Sequence, residues 1–152
     1  MKPRRTNVRG IIFKDGKLLA TKFKQDDGSE SAHWGTFGGG LDEGESIHAG
    51  MHREMIEETD IAPKIGKLLF IQQFGEEGRE FFELFFHIEN VDDYASVDLE
   101  ATTHGALEMT RSEFVDPKSE FILPSFLQTI DIADYIKNDR PVYIYDELSK
   151  IA

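Results

Sequence analysis

Apolar and polar positions change period several times along the chain. Val8 to Phe13 and Lys17 to Phe23 are rich in aliphatic, β-branched and aromatic residues. They flank Lys14-Asp15-Gly16, whose Asp-Gly pair tolerates the positive φ of a tight turn, so the chain is expected to open with a β-hairpin. Residues 25–32 (QDDGSESA) are polar and turn-rich, a surface loop leading to Trp34. The stretch GTFGGGLDEGES that follows holds five glycines in twelve residues, too many for a helix or a regular strand, and reads as a loop that lets backbone approach a ligand closely. The period then becomes helical. Ile47, Met51 and Met55 recur every fourth residue, Ser46 is a suitable N-cap, and the helix is expected to end near Asp60. A second strand pair is expected over Lys67 to Phe74 and Glu80 to Ile88, joined by Gly75-Glu76-Glu77-Gly78, with FFELFF suggesting burial. Residues 91–104 are acidic and irregular. Thr110 to Glu113 has the capping-box spacing, and Leu123-Pro124-Ser125 introduces a helix of about a dozen residues with Phe126, Leu127 and Ile130 on one side. Strands interleaved with two helices, without repeat or linker, predict an α/β fold with a mixed sheet sandwiched between helices.

A chain of 152 residues is the size of one domain, so residues 1–152 are read as a single unit with one buried core. The absence of cysteine removes disulfides, thiolate metal sites and cysteine nucleophiles. The basic start MKPRRTNVRG is followed by no apolar stretch of signal-peptide or membrane-spanning length, which points to a cytoplasmic protein without membrane association. A net charge of −12 argues against broad binding to DNA or RNA duplexes. Residues 1 to 25 hold eight of the 17 basic residues and one acid, a local +7 that leaves −19 on residues 26–152. The basic start reads more readily as a charged edge that discourages strand pairing than as a phosphate contact. An acidic body is either solvated or gathers cations.

The candidate chemistry lies on the helix after the glycine loop. Glu54, Glu57 and Glu58 are related as i, i+3 and i+4, so their carboxylates share one face. At about 100° per residue Glu54 and Glu58 fall within roughly 20° of Ile47, on the edge of the apolar stripe, where a purely solvating face would point away. Clustered carboxylates repel one another unless a cation sits among them, and oxygen donors without sulfur are what Mg²⁺ or Mn²⁺ selects. The preceding glycine loop and the helix N-terminus offer amides for phosphate oxygens, and a loop carbonyl to complete a metal shell. His48 and His52, at i and i+4, point elsewhere around the helix and read as a solvated pair; Trp34, Phe37, Phe23 and the run Phe81 to Phe86 read first as core.

Gly39, Glu45, Arg53-Glu54-Met55, Glu57-Glu58 and Ile61 match the Nudix box, G-x5-E-x7-R-E-U-x-E-E-x-G-U with U a bulky apolar residue, at every spacing. The chain therefore resembles the Nudix hydrolases, over the 23 residues of the box and in the order of elements around it. Two positions depart from the pattern: Asp60 stands where the box has glycine, and Phe37 where many members have proline. Asp tolerates a left-handed helix end better than most residues, so a cost of about 1 kcal/mol and an intact site are expected. The resemblance implies an α/β/α sandwich that hydrolyses a nucleoside diphosphate linked to another moiety, with Mg²⁺ or Mn²⁺ as cofactor. It implies Glu54, Glu57 and Glu58 as metal ligands with the carbonyl of Gly38, and Gly39 and Gly40 as phosphate-binding backbone. Arg53 is implied to orient the glutamates, and Glu45 to brace Arg53. Glu100, in the later acidic loop, is the candidate for a general base or extra ligand.

A regulator of the same fold that binds a nucleotide-like metabolite without cleaving it is the alternative, and the intact glutamates and Arg53 favour the enzyme. An isopentenyl diphosphate isomerase is disfavoured by the missing cysteine and an RNA-decapping enzyme by the charge. ADP-ribose, dinucleoside polyphosphates, nucleotide sugars and nucleoside triphosphates all stay open as substrates. The segment PVYIYDELSKIA is expected either to close the sheet or to pair with a second copy in a homodimer.

Overall fold

The computed structural model describes residues 2–148. The strands are β1 (Arg5–Ile11), β2 (Phe13–Lys14), β3 (Lys17–Lys24), β4 (Glu30–Gly35) and β5 (Gly38–Gly40), followed by helix α1 (Ile47–Thr59). Next come β6 (Ile65–Glu76), β7 (Arg79–Ile88), the single helical turn α2 (Gly105–Glu108), β8 (Met109–Val115), α3 (Ile132–Lys137) and β9 (Tyr143–Asp146).

Two sheets form where one mixed sheet was expected. The larger has the order β5-β1-β7-β6-β9 and is mixed, with β1 parallel to β7 and β6 parallel to β9. The smaller is antiparallel, with β3 flanked by β2 and β4 on one edge and by β8 on the other. The opening hairpin is accordingly shorter than the sequence suggests. Asp15 and Gly16 do turn at positive φ, but they join β3 only to the two residues of β2. β1 leaves for the larger sheet because Ile11 and Ile12 are buried in two different apolar clusters, which no single hairpin face can satisfy.

Each cluster occupies one face of the larger sheet. Ile11, Leu69, Phe70 and Phe85 pack with Leu18, Trp34, Phe126 and Leu127, whereas Val8, Leu84, Phe86 and Ile88 pack with Met51 and Met55 of α1. β7 is thus covered on both faces, which accounts for its nearly continuous aromatic run. Phe37, the residue in the usual proline position, is buried in the second cluster. Ile47 is 40% exposed, so the apolar stripe of α1 begins at Gly50 and Met51 rather than at its first residue.

Two further expectations are corrected. Thr110 to Glu113 lies in β8, not at a helix start; its pairing with β3 and the bond from Thr110 Oγ1 to Glu30 (2.8 Å) outweigh the capping pattern. The helix expected after Pro124 is split into a 3-10 turn at Ser125–Gln128 and α3, because Asp131 caps the second piece through Asp134 N. β9 does add to the edge of the larger sheet beside β6, while residues 149–152 lie outside the described residues. Among the described residues no helix is long and apolar enough to cross a membrane.

Candidate active site

β5 is an edge strand of three glycines, and α1 packs behind it. Gly38 has φ +139°, and a Cβ there would run into the Val8 carbonyl, so only glycine lets this strand pair closely with β1. Gly39 would place a Cβ 2.7 Å from the Glu54 carboxylate, and Gly40 would place one against the guanidinium of Arg5. The glycines therefore bring bare backbone between an acidic group on one face and a basic group on the other.

Helix α1 starts at Ser46, which accepts from Ala49 N at 3.2 Å, and stops at Asp60 with φ 60° and its N–H on Ile56 O. Glu58 is 2% exposed and accepts from Gly38 N at 2.7 Å. Burial pushes its carboxyl up to about 8, against the Gly38 N–H and Arg9, which favour the charged form; the carboxylates of Glu54 and Glu108 act with burial. Burial also raises Glu54, opposed by Arg53. Arg53 joins the cluster together. Its guanidinium is held bidentately by Glu45 (2.8 and 2.9 Å), donates through Nη1 to Glu54 (3.1 Å) and Glu57 (3.2 Å), and donates through Nη2 to Gly40 O (3.0 Å). That bond to Arg53 takes the Glu45 carboxyl down to about 2. Glu57 lies 3.1 Å from His104 Nδ1, and its carbonyl accepts from His104 N.

A second polar network lies on the other side of β5. Arg9 donates to Glu83 (3.0 Å), Thr36 O (3.2 Å) and Gly38 O (3.0 Å), and buried Glu83 also accepts from Asn7 (3.2 Å) and Gln72 (3.0 Å). Arg9, Gln72 and Glu83 form the floor of a cleft of about 480 Å³ between the sheets, walled by Phe23 and His33 on one side and Phe74 on the other.

The oxygen donors of Glu54, Glu57 and Glu58 suit a hard divalent cation. Among the described residues no three acidic or histidine side chains already enclose a point where one would sit. Instead Arg53 Nη1 bridges Glu54 and Glu57, and Glu58 is turned onto Gly38 N. The raised carboxyls of Glu54 and Glu58 mark a place where added positive charge would be favourable.

The family model of the NUDIX domain matches residues 3–129. The chain belongs to the Nudix family. Asp60 stands in place of the glycine of the box. Among solved structures, a MutT protein from Methanosarcina mazei Go1 is 22% identical over 83% of this chain and 89% of that one, with a TM-score of 0.67. A UDP-X diphosphatase is 16% identical over 95% and 68%, with a TM-score of 0.64. An ADP-ribose pyrophosphatase from Streptococcus suis 89-1591 is 14% identical over 93% and 98%, with a TM-score of 0.58. At these identities the likeness is one of fold. A search of curated proteins gave no match.

In this Nudix protein Glu45, Arg53, Glu54 and Glu57 form one hydrogen-bonded group beside Gly40, and Glu58 meets Gly38 from the helix. The Gly38 carbonyl accepts from Arg9 Nη1. Glu100 is exposed on a 3-10 turn, its backbone N–H on Asp98, and it is not brought to the three glutamates. Glu108, on α2, is the later acid whose charge acts on Glu58. Sequence reasoning also missed Arg9, Glu83 and His104. The alternation of Arg5, Asn7 and Arg9 with buried Val8, and the lone acid inside FFELFF, were the available signals for the first two. Nothing in the spacing linked His104 to Glu57.

Proposed function

We propose that the protein hydrolyses a diphosphate linkage in a nucleoside diphosphate joined to another moiety, using Mg²⁺ or Mn²⁺. The observation that carries this reading is the junction at β5, where the Arg53-centred glutamates meet the glycine backbone and Arg9, bonded to Gly38 O, lines a cleft of nucleotide size. Glu54, Glu57 and Glu58 would hold the cation, which supplies charge neutralisation for the diphosphate oxygens and a more acidic water.

The remaining parts belong to the chain itself. Arg53 keeps Glu54 and Glu57 adjacent against their mutual repulsion, and Glu45 fixes Arg53. Arg9 pins the Thr36 and Gly38 carbonyls and so fixes the amide that Glu58 accepts from. One of the three glutamates, or a later acid, would take the proton of an attacking water, and the contact of Glu57 with His104 supports Glu57 in that role. The fold neighbours include proteins described as an ADP-ribose pyrophosphatase and a UDP-X diphosphatase, which supports the same class of anhydride here without choosing the moiety.

The test is a phosphate-release screen over ADP-ribose, nucleotide sugars, dinucleoside polyphosphates and nucleoside triphosphates, first with Mg²⁺ and then with Mn²⁺. At least one compound is expected to be hydrolysed, and activity should vanish with EDTA and return with added cation. Binding without turnover across the set would instead support the regulator.

A further inference from the structure

We propose that Arg5 is a substrate-binding residue that takes a phosphate oxygen of the diphosphate on the cleft side of β5; this rests on the diphosphate reading above. In this strongly acidic protein, Arg4, Arg9, Arg53, Arg111 and Arg140 each pair with a carboxylate. The exposed side chain of Arg5 makes neither an ion pair nor a hydrogen bond among the described residues, and Arg79, the other arginine without a carboxylate partner, is half-buried with its Nε enclosed. The guanidinium of Arg5 lies against the Cα of Gly40, where any side chain would displace it, and Gly40 O is the acceptor of Arg53 Nη2.

The strand register says which way this group serves. Arg5 is opposite Phe81, which is opposite Phe74, and the two rings stack at 4.8 Å with an interplanar angle of 7°. Asn7, Glu83 and Gln72 form the next row inward, so Arg5, Phe81 and Phe74 are the outer row of the face that floors the cleft. Glu54 meets the opposite face of the same glycine strand, at Gly39. A diphosphate crossing the free edge of β5 therefore has the glutamates beneath it and, on the cleft side, the guanidinium of Arg5 against Gly40. The planar fork of Arg5 suits two oxygens of one phosphate, and the Phe81 and Phe74 rings beside it offer an apolar shelf for the moiety attached there.

Two measurements on the full chain test this. Calorimetric titration with methylenediphosphonate in Mg²⁺ buffer should show Arg5→Ala binding about tenfold more weakly than the unsubstituted protein, the loss expected for one charge-assisted contact. Arg5→Lys should lose less. Arg4→Ala, which removes the same charge from a residue paired with Glu80 and lying over Phe82, should stay within about twofold. With a compound found in the screen, Arg5→Ala should raise KM by a similar factor and leave kcat within about threefold, the mark of a binding contact shared by ground and transition states. Equal losses in the Arg4 and Arg5 variants, an unchanged Arg5→Ala, or no binding by the unsubstituted protein would overturn the assignment. Absence of hydrolysis with an Arg5-dependent affinity would remove the proposed function and leave this contact standing.

Discussion

At the scale of single residues the site is a set of opposed costs. Glu58 is buried where a charged carboxylate is disfavoured, and a single backbone N–H with the Arg9 charge offsets only part of that. Such a group is retained for chemistry or for a cation, since a neutral side chain would be cheaper in the same place. Glu58→Gln keeps an acceptor for Gly38 N and can carry no buried charge. It should lower kcat by at least 10²-fold, about 2.7 kcal/mol of transition-state stabilisation, while the metal-free melting temperature stays equal or rises. Steady-state kinetics and thermal melts of the purified variant check both halves. A fall in melting temperature with full activity would make Glu58 a structural residue. The three glutamates, Arg53 and Glu45 were legible in the sequence because one helix and its entry loop carry them all at fixed spacing. Arg9 and His104 were not, because each reaches the site through space from an element distant in the chain, and a single sequence carries no register between β1 and β7.

At the scale of elements, local chemistry decided what tertiary contact did not override. Ser46 and the turn at Asp15-Gly16 are set by their own neighbours, and both appear where the pattern places them. The 125–137 segment has the apolar spacing of one helix, but Asp131 restarts the chain with its own cap, and an internal N-cap competes directly with helix continuation. Thr110 to Glu113 fails in the opposite sense: β3 offers a full ladder of backbone partners, worth more than one capping box. The division into two sheets was illegible for a related reason, since Ile11 and Ile12 are equally apolar and only the three-dimensional packing assigns them to different faces. Asp60 is the local departure that matters for the glutamate-bearing helix. Its φ of 60° places a non-glycine residue in the left-handed region, and its side chain makes no hydrogen bond among the described residues. Asp60→Gly should therefore stabilise the protein by up to about 1 kcal/mol in urea denaturation, with unchanged kinetics. A loss of stability would show that the Asp side chain supplies something the helix end needs.

At the scale of the whole molecule, the larger sheet separates two environments. α1 and its carboxylates cover one face, the cleft with its aromatic walls lies on the other, and the glycine strand at the free edge is the place where they meet. On the proposed function a substrate would cross that edge, and its reacting phosphorus would lie beside acids rather than beside a nucleophile. The chain has no cysteine, Ser46 is used as a helix cap, and His104 has its Nδ1 on Glu57. Direct attack by water on phosphorus is the expected course, in a single displacement without a phospho-enzyme. Hydrolysis in ¹⁸O-labelled water should place one label in one phosphate-bearing product and none in the sugar or alcohol carbon, as read by mass spectrometry of both products. Label at carbon would move the attack away from phosphorus. A phosphohistidine trapped at His104 by acid-free quenching would replace the single displacement by two, and Glu57 would then serve to orient the imidazole rather than to hold the proton of water.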